Sequence, residues 1–204
     1  MPAAWVSKLQ RLTLQYFGEW LPAIVEVSQT LTYVNISGCA ETKPIHLECL
    51  STLPNLIKLD VYVTGLDCVE QIRKCSSLRE LRLEDAKDSV PFTLLSDRSF
   101  GRCLQKLALG HMYALHPDGY SQPERKQDWS LVWRNLEHLQ SLELKEYSGV
   151  DSMLESLVHP TLLPNLSNLI ITARPVDATD RFGPRCPSNE LIKSIIQPRA
   201  TVKR

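Results

Sequence analysis

The sequence predicts an α/β solenoid, a curved parallel sheet with helices on its convex side, built from about seven irregular repeats. Three observations predict it. A Leu-x-x-Leu-x-Leu spacing, with Val or Ile sometimes in place of Leu, returns along nearly the whole 204-residue chain. The first leucines of successive units stand 22, 25, 22, 26, 35 and 27 residues apart. The intervals between units carry apolar residues at helical spacing.

The units begin with Leu9, Leu12 and Leu14, then Leu31, Val34 and Ile36, Leu56, Leu59 and Val61, and Leu78, Leu81 and Leu83. Leu104, Leu107 and Leu109 follow, then Leu139, Leu142 and Leu144, and Leu166, Leu169 and Ile171. Alternate side chains of a strand point to opposite faces, so the second and third members of each unit turn inward together. The first member anchors the turn that enters the strand. No single unit covers its own apolar side, so neighbours stack into a parallel sheet that advances roughly 4.8 Å per repeat.

The return segments are expected to be helical over 20–27, 45–53, 66–75, 90–100, 129–136 and 153–163. In the third, Val69, Ile72 and Cys75 share one face, while Glu70, Arg73 and Lys74 face water. Pro54 and Pro164 each precede Asn-Leu at a strand entry, where proline ends a helix. A last helix over Asn189–Gln197, apolar through Leu191, Ile192, Ile195 and Ile196, is expected to cap the open end of the stack. The expected organisation is one domain over residues 1–204, with an inserted loop at 110–128 and a C-terminal basic tail at 174–204 that holds the capping helix.

These motifs resemble those of leucine-rich-repeat proteins. The irregular spacing with Pro-Asn-Leu entries is similar to the repeat region of F-box proteins, especially fungal ones, and the resemblance covers about residues 5 to 175. It implies a leucine-rich-repeat solenoid used for recognition. Two departures stand out. The ninth consensus position, normally Asn or Cys, holds Phe17, Cys39, Thr64, Ala86, Met112, Tyr147 and Arg174, so the usual hydrogen-bond ladder there is expected to be missing. The repeats also begin almost at Met1, which implies the recognition half of such a protein without an F-box.

Charge narrows the partners. Acidic and basic residues balance at a formal net charge of zero, which gives no global reason to expect nucleic acid or a membrane surface. The residues from Arg174 onward carry a local net +4, read either as a solvated basic end or as a contact for an acidic surface. No apolar run approaches the roughly 20 residues that span a bilayer, and no signal-peptide pattern opens the chain, so a cytoplasmic or nuclear protein is expected. The six cysteines are expected as free, mostly buried thiols.

The sequence offers no support for catalysis. Phosphate-loop, dinucleotide, zinc-protease and nucleophile-elbow motifs do not occur, and no cofactor is expected. His111 and His116, with Cys103 eight residues before the former, lack the spacing of a zinc site. Glu84, Asp85 and Asp88 are interrupted by Lys87 and read as a solvated loop.

Binding is therefore assigned to the outward strand residues, which line the concave face of such a solenoid. The predicted partner-binding set is Tyr33, Asn35, Lys58, Asp60, Tyr62, Glu80, Arg82, Glu84, Lys106, Glu143 and Lys145. Tyrosines bordered by Arg and Lys have the composition of interface hot spots. The competing reading is that these charges simply pair across neighbouring strands. A protein partner held on this face is the expected function, and a structural segment of a larger F-box-like or scaffold protein is the alternative. The apolar group Trp5, Val6, Trp20 and Leu21 is expected to seek cover, through a dimer or an upstream domain.

Overall fold

The computed structural model describes residues 6–16, 18–37, 43–62, 65–84, 89–110, 128–145, 150–159, 161–172 and 193–195. Seven five-residue strands form one parallel sheet in chain order: β1 Arg11–Gln15, β2 Tyr33–Ser37, β3 Lys58–Tyr62, β4 Glu80–Glu84, β5 Lys106–Gly110, β6 Ser141–Lys145 and β7 Asn168–Thr172. Each strand falls on its repeat motif. The register aligns like with like, Val34 with Leu59, Leu59 with Leu81, Leu81 with Leu107 and Leu107 with Leu142.

A backbone device repeated at every step fixes this phase. The carbonyls of Gln10, Thr32, Ile57, Arg79, Gln105 and Gln140 each accept two successive N–H groups from the next repeat, at 2.8–3.1 Å. Ahead of β3 to β7, the N–H of Leu56, Leu78, Leu104, Leu139 and Leu166 closes a turn onto the carbonyl three residues earlier, at 3.0–3.4 Å. The first leucine of the motif is thus the hinge of that turn, and Leu31, Leu56, Leu78, Leu104 and Leu139 are all buried.

Side chains add a second tie. Thr30, Ser77 and Asn165 each stand one residue before a first leucine. They donate to the carbonyls of Leu9, Pro54 and Glu137 in the preceding repeat, at 2.9, 2.7 and 2.7 Å. The seven ninth-position residues, where a ladder is expected to be missing, lie outside the described residues.

The return segments are helical where expected, but shorter and more broken. They hold α1 Leu21–Val27, α2 Pro44–Leu47, α3 Val69–Arg73, α4 Ser89–Leu95, α5 Arg98–Gly101, α6 Trp129–Asn135 and α7 Val150–Leu157. Tighter 3₁₀ turns at Gly18–Trp20, Glu48–Thr52 and Leu66–Cys68 complete several of them. A 3₁₀ turn rises about 2.0 Å per residue against 1.5 Å for an α-helix, so a short repeat spans its return path with fewer residues. The segment expected as one helix over 90–100 is two, because Asp97 leaves the helical path and caps α5. It accepts from the N–H groups of Ser99 and Phe100 at 2.8 and 3.3 Å. The segment expected to be helical to Leu163 ends at Leu157, and Leu163, just before Pro164, has a left-handed φ of 50°.

The Asp97 cap yields a measurable expectation. Its hydrogen bond from the Ser99 hydroxyl, then those from backbone N–H groups, hold its carboxyl below the ordinary 3.8 against the opposing effect of burial. A depressed native value means the stabilisation is present above the unfolded pKa and is lost as pH falls through the native one. Asp97→Ala is expected to cost about 1 kcal/mol near neutral pH. Urea titrations of the two proteins should converge as the pH drops below about 4.

The inward residues of all seven strands join the helices in one core. Val69, Ile72 and Cys75 are buried as expected, but Arg73 does not simply face water. Its guanidinium pairs with Glu70 at 2.6 Å and lies 3.7 Å from Asp97, tying α3 to the cap of α5. Burial weakens toward both ends: Leu9, Leu12, Leu166, Leu169 and Ile171 are only partly buried. Of the N-terminal group expected to be apolar and uncovered, Trp20 is 58% exposed, whereas Leu21 is fully buried because α1 turns it into the core. Trp5 lies outside the described residues. Of the expected last helix, residues 193–195 are helical, and Ile195 belongs to the core.

Candidate protein-binding surface

The outward side chains fall into three straight rows across the sheet, because the parallel register puts the same position of each strand side by side. The first row runs Arg11, Tyr33, Lys58, Glu80, Lys106, Ser141, Asn168. The second holds Asn35, Asp60, Arg82, Ala108 and Glu143 between Thr13 and Ile170. The third includes Tyr62, Glu84, Gly110 and Lys145. All eleven predicted residues occupy this face.

They form two clusters. At the N-terminal end the Tyr33 ring is flanked by two cations from the adjacent strands, with Arg11 Cζ 4.8 Å and Lys58 Nζ 4.9 Å from the ring centre. Its hydroxyl donates to Asp60 Oδ2 at 2.8 Å, and Lys58 stands 3.9 Å from the same oxygen. Partial burial, then the hydrogen bond and charge of Asp60, push the Tyr33 hydroxyl above its ordinary pKa of 10, with Asn35 and Arg11 opposing. Asp60 Oδ1 is buried without a hydrogen-bond partner. Tyr62 lies in the third row on the adjacent strand, so the two tyrosines border Asp60 rather than each other.

The central cluster is a chain of ion pairs. Arg82 reaches Glu84 at 3.4 Å on its own strand and Glu143 at 3.1 Å two strands away. Lys145 closes on Glu143 at 3.1 Å, and Lys106 on Glu80 at 2.6 Å. The long reach of Arg82 crosses β5 where the outward residues are Ala108 and Gly110. A side chain at Gly110 would occupy the place of the Glu84 carboxylate. Two small residues on β5 therefore make room for a network that spans β4 to β6. For these central charges, pairing across strands is what the structure shows.

Arg11 was absent from the predicted set. It is exposed at the end of the first row, and among the described residues no ion pair neutralises it. The sequence signal was its register position beside Tyr33. Other candidates lead elsewhere. His111, His116, Asp85 and Asp88 lie outside the described residues, as do positions 111–127 of the insertion. Among the described residues no three His, Cys, Asp or Glu side chains gather to hold a metal, and no helix is long and apolar enough to cross a membrane. Cys49, Cys68, Cys75 and Cys103 are thiols, and burial pushes the first three up to about 11, 11 and 12, which makes them poor nucleophiles. A cleft of about 660 Å³ beside α6 and α7, lined by Asp128, Arg134, Glu155 and His159 among others, is separate from the strand face.

No protein-family profile matches the chain, and no curated protein matches it. Among solved structures, the crystal structure of the leucine-rich repeat-containing protein LegL7 from Legionella pneumophila is similar. It superposes with a TM-score of 0.53 at 16% sequence identity, covering 91% of this chain and 62% of that one. The fold is a leucine-rich-repeat solenoid. At this identity the likeness bears on the fold alone, and the chain spans under two thirds of the length of LegL7. In such a solenoid the strand face just described is the concave one, with the helices on the convex side.

Proposed function

We propose that the chain is a non-catalytic protein-interaction module that holds a protein partner on the concave face of its sheet. The observation that carries this reading is the fixed tyrosine at one end of that face. Tyr33 is clamped by Arg11 and Lys58 and anchored through its hydroxyl to Asp60, so it presents an ordered aromatic edge before any partner arrives. Immobilising side chains is one of the costs that reduce binding free energy, and a pre-ordered aromatic avoids it. A unit that recognises a substrate for a larger assembly is one form of this role. Nucleic acid, membrane and cofactor have no place in it.

Tyr33→Ala with Tyr62→Ala tests the reading. A partner isolated on the unaltered protein and titrated by calorimetry is expected to bind the double variant at least tenfold more weakly, with the far-UV circular dichroism unchanged. Unchanged affinity would move the binding surface elsewhere.

The alternative, a repeat segment of a larger protein, draws on the ends of the stack. The inward residues Leu169 and Ile171 on β7 stay only partly buried, as in a sheet that accepts another repeat. Sedimentation of the chain as a well-behaved monomer at high concentration would count against it.

A further inference from the structure

We propose that the partner segment seated at the N-terminal end of the concave face is acidic, with an aspartate or glutamate carboxylate bound by Arg11. The inference rests on the interaction-module reading and names the chemistry of the partner.

The argument starts from which charges on the face are already spent. Each acid of the central cluster has a cation: Glu80 has Lys106, Glu84 has Arg82, and Glu143 has both Arg82 and Lys145. Asp60 is held by the Tyr33 hydroxyl and faces Lys58, and its remaining oxygen is buried out of reach. Among the described residues, a basic segment laid along the face would find no open carboxylate and would have to break an existing pair. An acidic segment meets a different surface. Arg11 is exposed, has no ion pair among the described residues, and stands on the same ring as Lys58.

Its contact with the Tyr33 ring positions Arg11 for this task. A guanidinium held against an aromatic ring keeps a fork of N–H donors in its own plane, and those that do not point at the ring remain open to an acceptor. The contact with the Tyr33 ring, 4.8 Å from Cζ to the ring centre, holds the group in place, and the planar fork of a guanidinium matches a carboxylate in two parallel hydrogen bonds. Lys58, at 3.9 Å from Asp60, adds positive potential from the strand on the other side of Tyr33. Tyr33 thus acts as the spacer that sets two cations one strand to either side of it.

The test uses the full chain, isotopically labelled, and three capped twelve-residue peptides that alternate serine with glutamate, glutamine or lysine. Amide and guanidinium chemical shifts are followed by NMR at low ionic strength. The glutamate peptide is expected to shift Arg11, Tyr33 and Lys58 saturably. Arg11→Gln is expected to weaken it at least tenfold, and Lys106→Gln less than twofold. The two variants change net charge equally, so equal weakening would reduce the effect to general electrostatics and overturn the inference. It is likewise overturned if the glutamate peptide leaves the Arg11 region unshifted, or if inorganic phosphate alone occupies Arg11 as tightly as the peptide does. Saturation of the face by the lysine or glutamine peptide instead would refute an acidic partner while leaving the module reading intact, which the tyrosine variants judge separately.

Discussion

Trp133→Ala is expected to lower the unfolding free energy by about 3–5 kcal/mol, the range for truncating a fully buried large aromatic side chain. Trp133 has no exposed surface and stacks on Trp129 with ring centres 5.4 Å apart. Its indole N–H reaches across to α7, donating to the Ser156 hydroxyl at 2.6 Å and the Met153 carbonyl at 3.3 Å. Alanine opens a cavity between α6 and α7 and also leaves the Met153 carbonyl without that donor. Against a domain stability of about 5–15 kcal/mol, this is enough to loosen the last two repeats. Urea titration measures the cost, and hydrogen exchange locates it, with faster exchange in β6 and β7 than in β2 and β3. Trp133→Phe keeps most of the ring volume and loses the donor, so it should cost about 1–2 kcal/mol. A loss under about 1 kcal/mol for the alanine variant, or equal losses for both, would show that packing at this junction is not what joins the repeats.

The strands were legible in the sequence for a physical reason: a period of two, written in leucine and repeated seven times, leaves one inward face and one register. The return segments were legible in position but not in type. Short α-helices and 3₁₀ turns share much of their apolar spacing, and the break between α4 and α5 rests on the single cap of Asp97. Leu21 was misplaced because a leucine near an end looks exposed until the direction of α1 is known. On the concave face, the register put every predicted residue where expected, yet pairing required three dimensions. Arg82 and Glu143 stand 61 positions apart, and nothing in either residue announces that Ala108 lies between them and makes way. Arg11, an outward residue by its register, stayed out of the predicted set for the complementary reason: only the pairing of its neighbours shows that it has no ion pair among the described residues.

Leucine-to-alanine replacements in the strands are expected to cost less toward the ends of the stack than in its middle. Leu83 on β4 is fully buried and flanked in register by Val61 and Leu109. Leu12 on β1 is only partly buried and has a single neighbouring strand, through Val34. Leu83→Ala should therefore cost about 3 kcal/mol, and Leu12→Ala about 1 kcal/mol. The contrast tests more than two side chains. In a solenoid each repeat is stabilised by its own packing and by its two nearest interfaces, so a terminal repeat frays without dragging the stack down, while a central lesion cuts two interfaces at once. Leu83→Ala should then also broaden the urea transition, because the halves on either side of β4 lose their coupling and unfold at different concentrations. Equal costs and equally sharp transitions at both positions would mean that the seven strands melt as one indivisible unit, held by contacts longer in range than the repeat-to-repeat ladder described above.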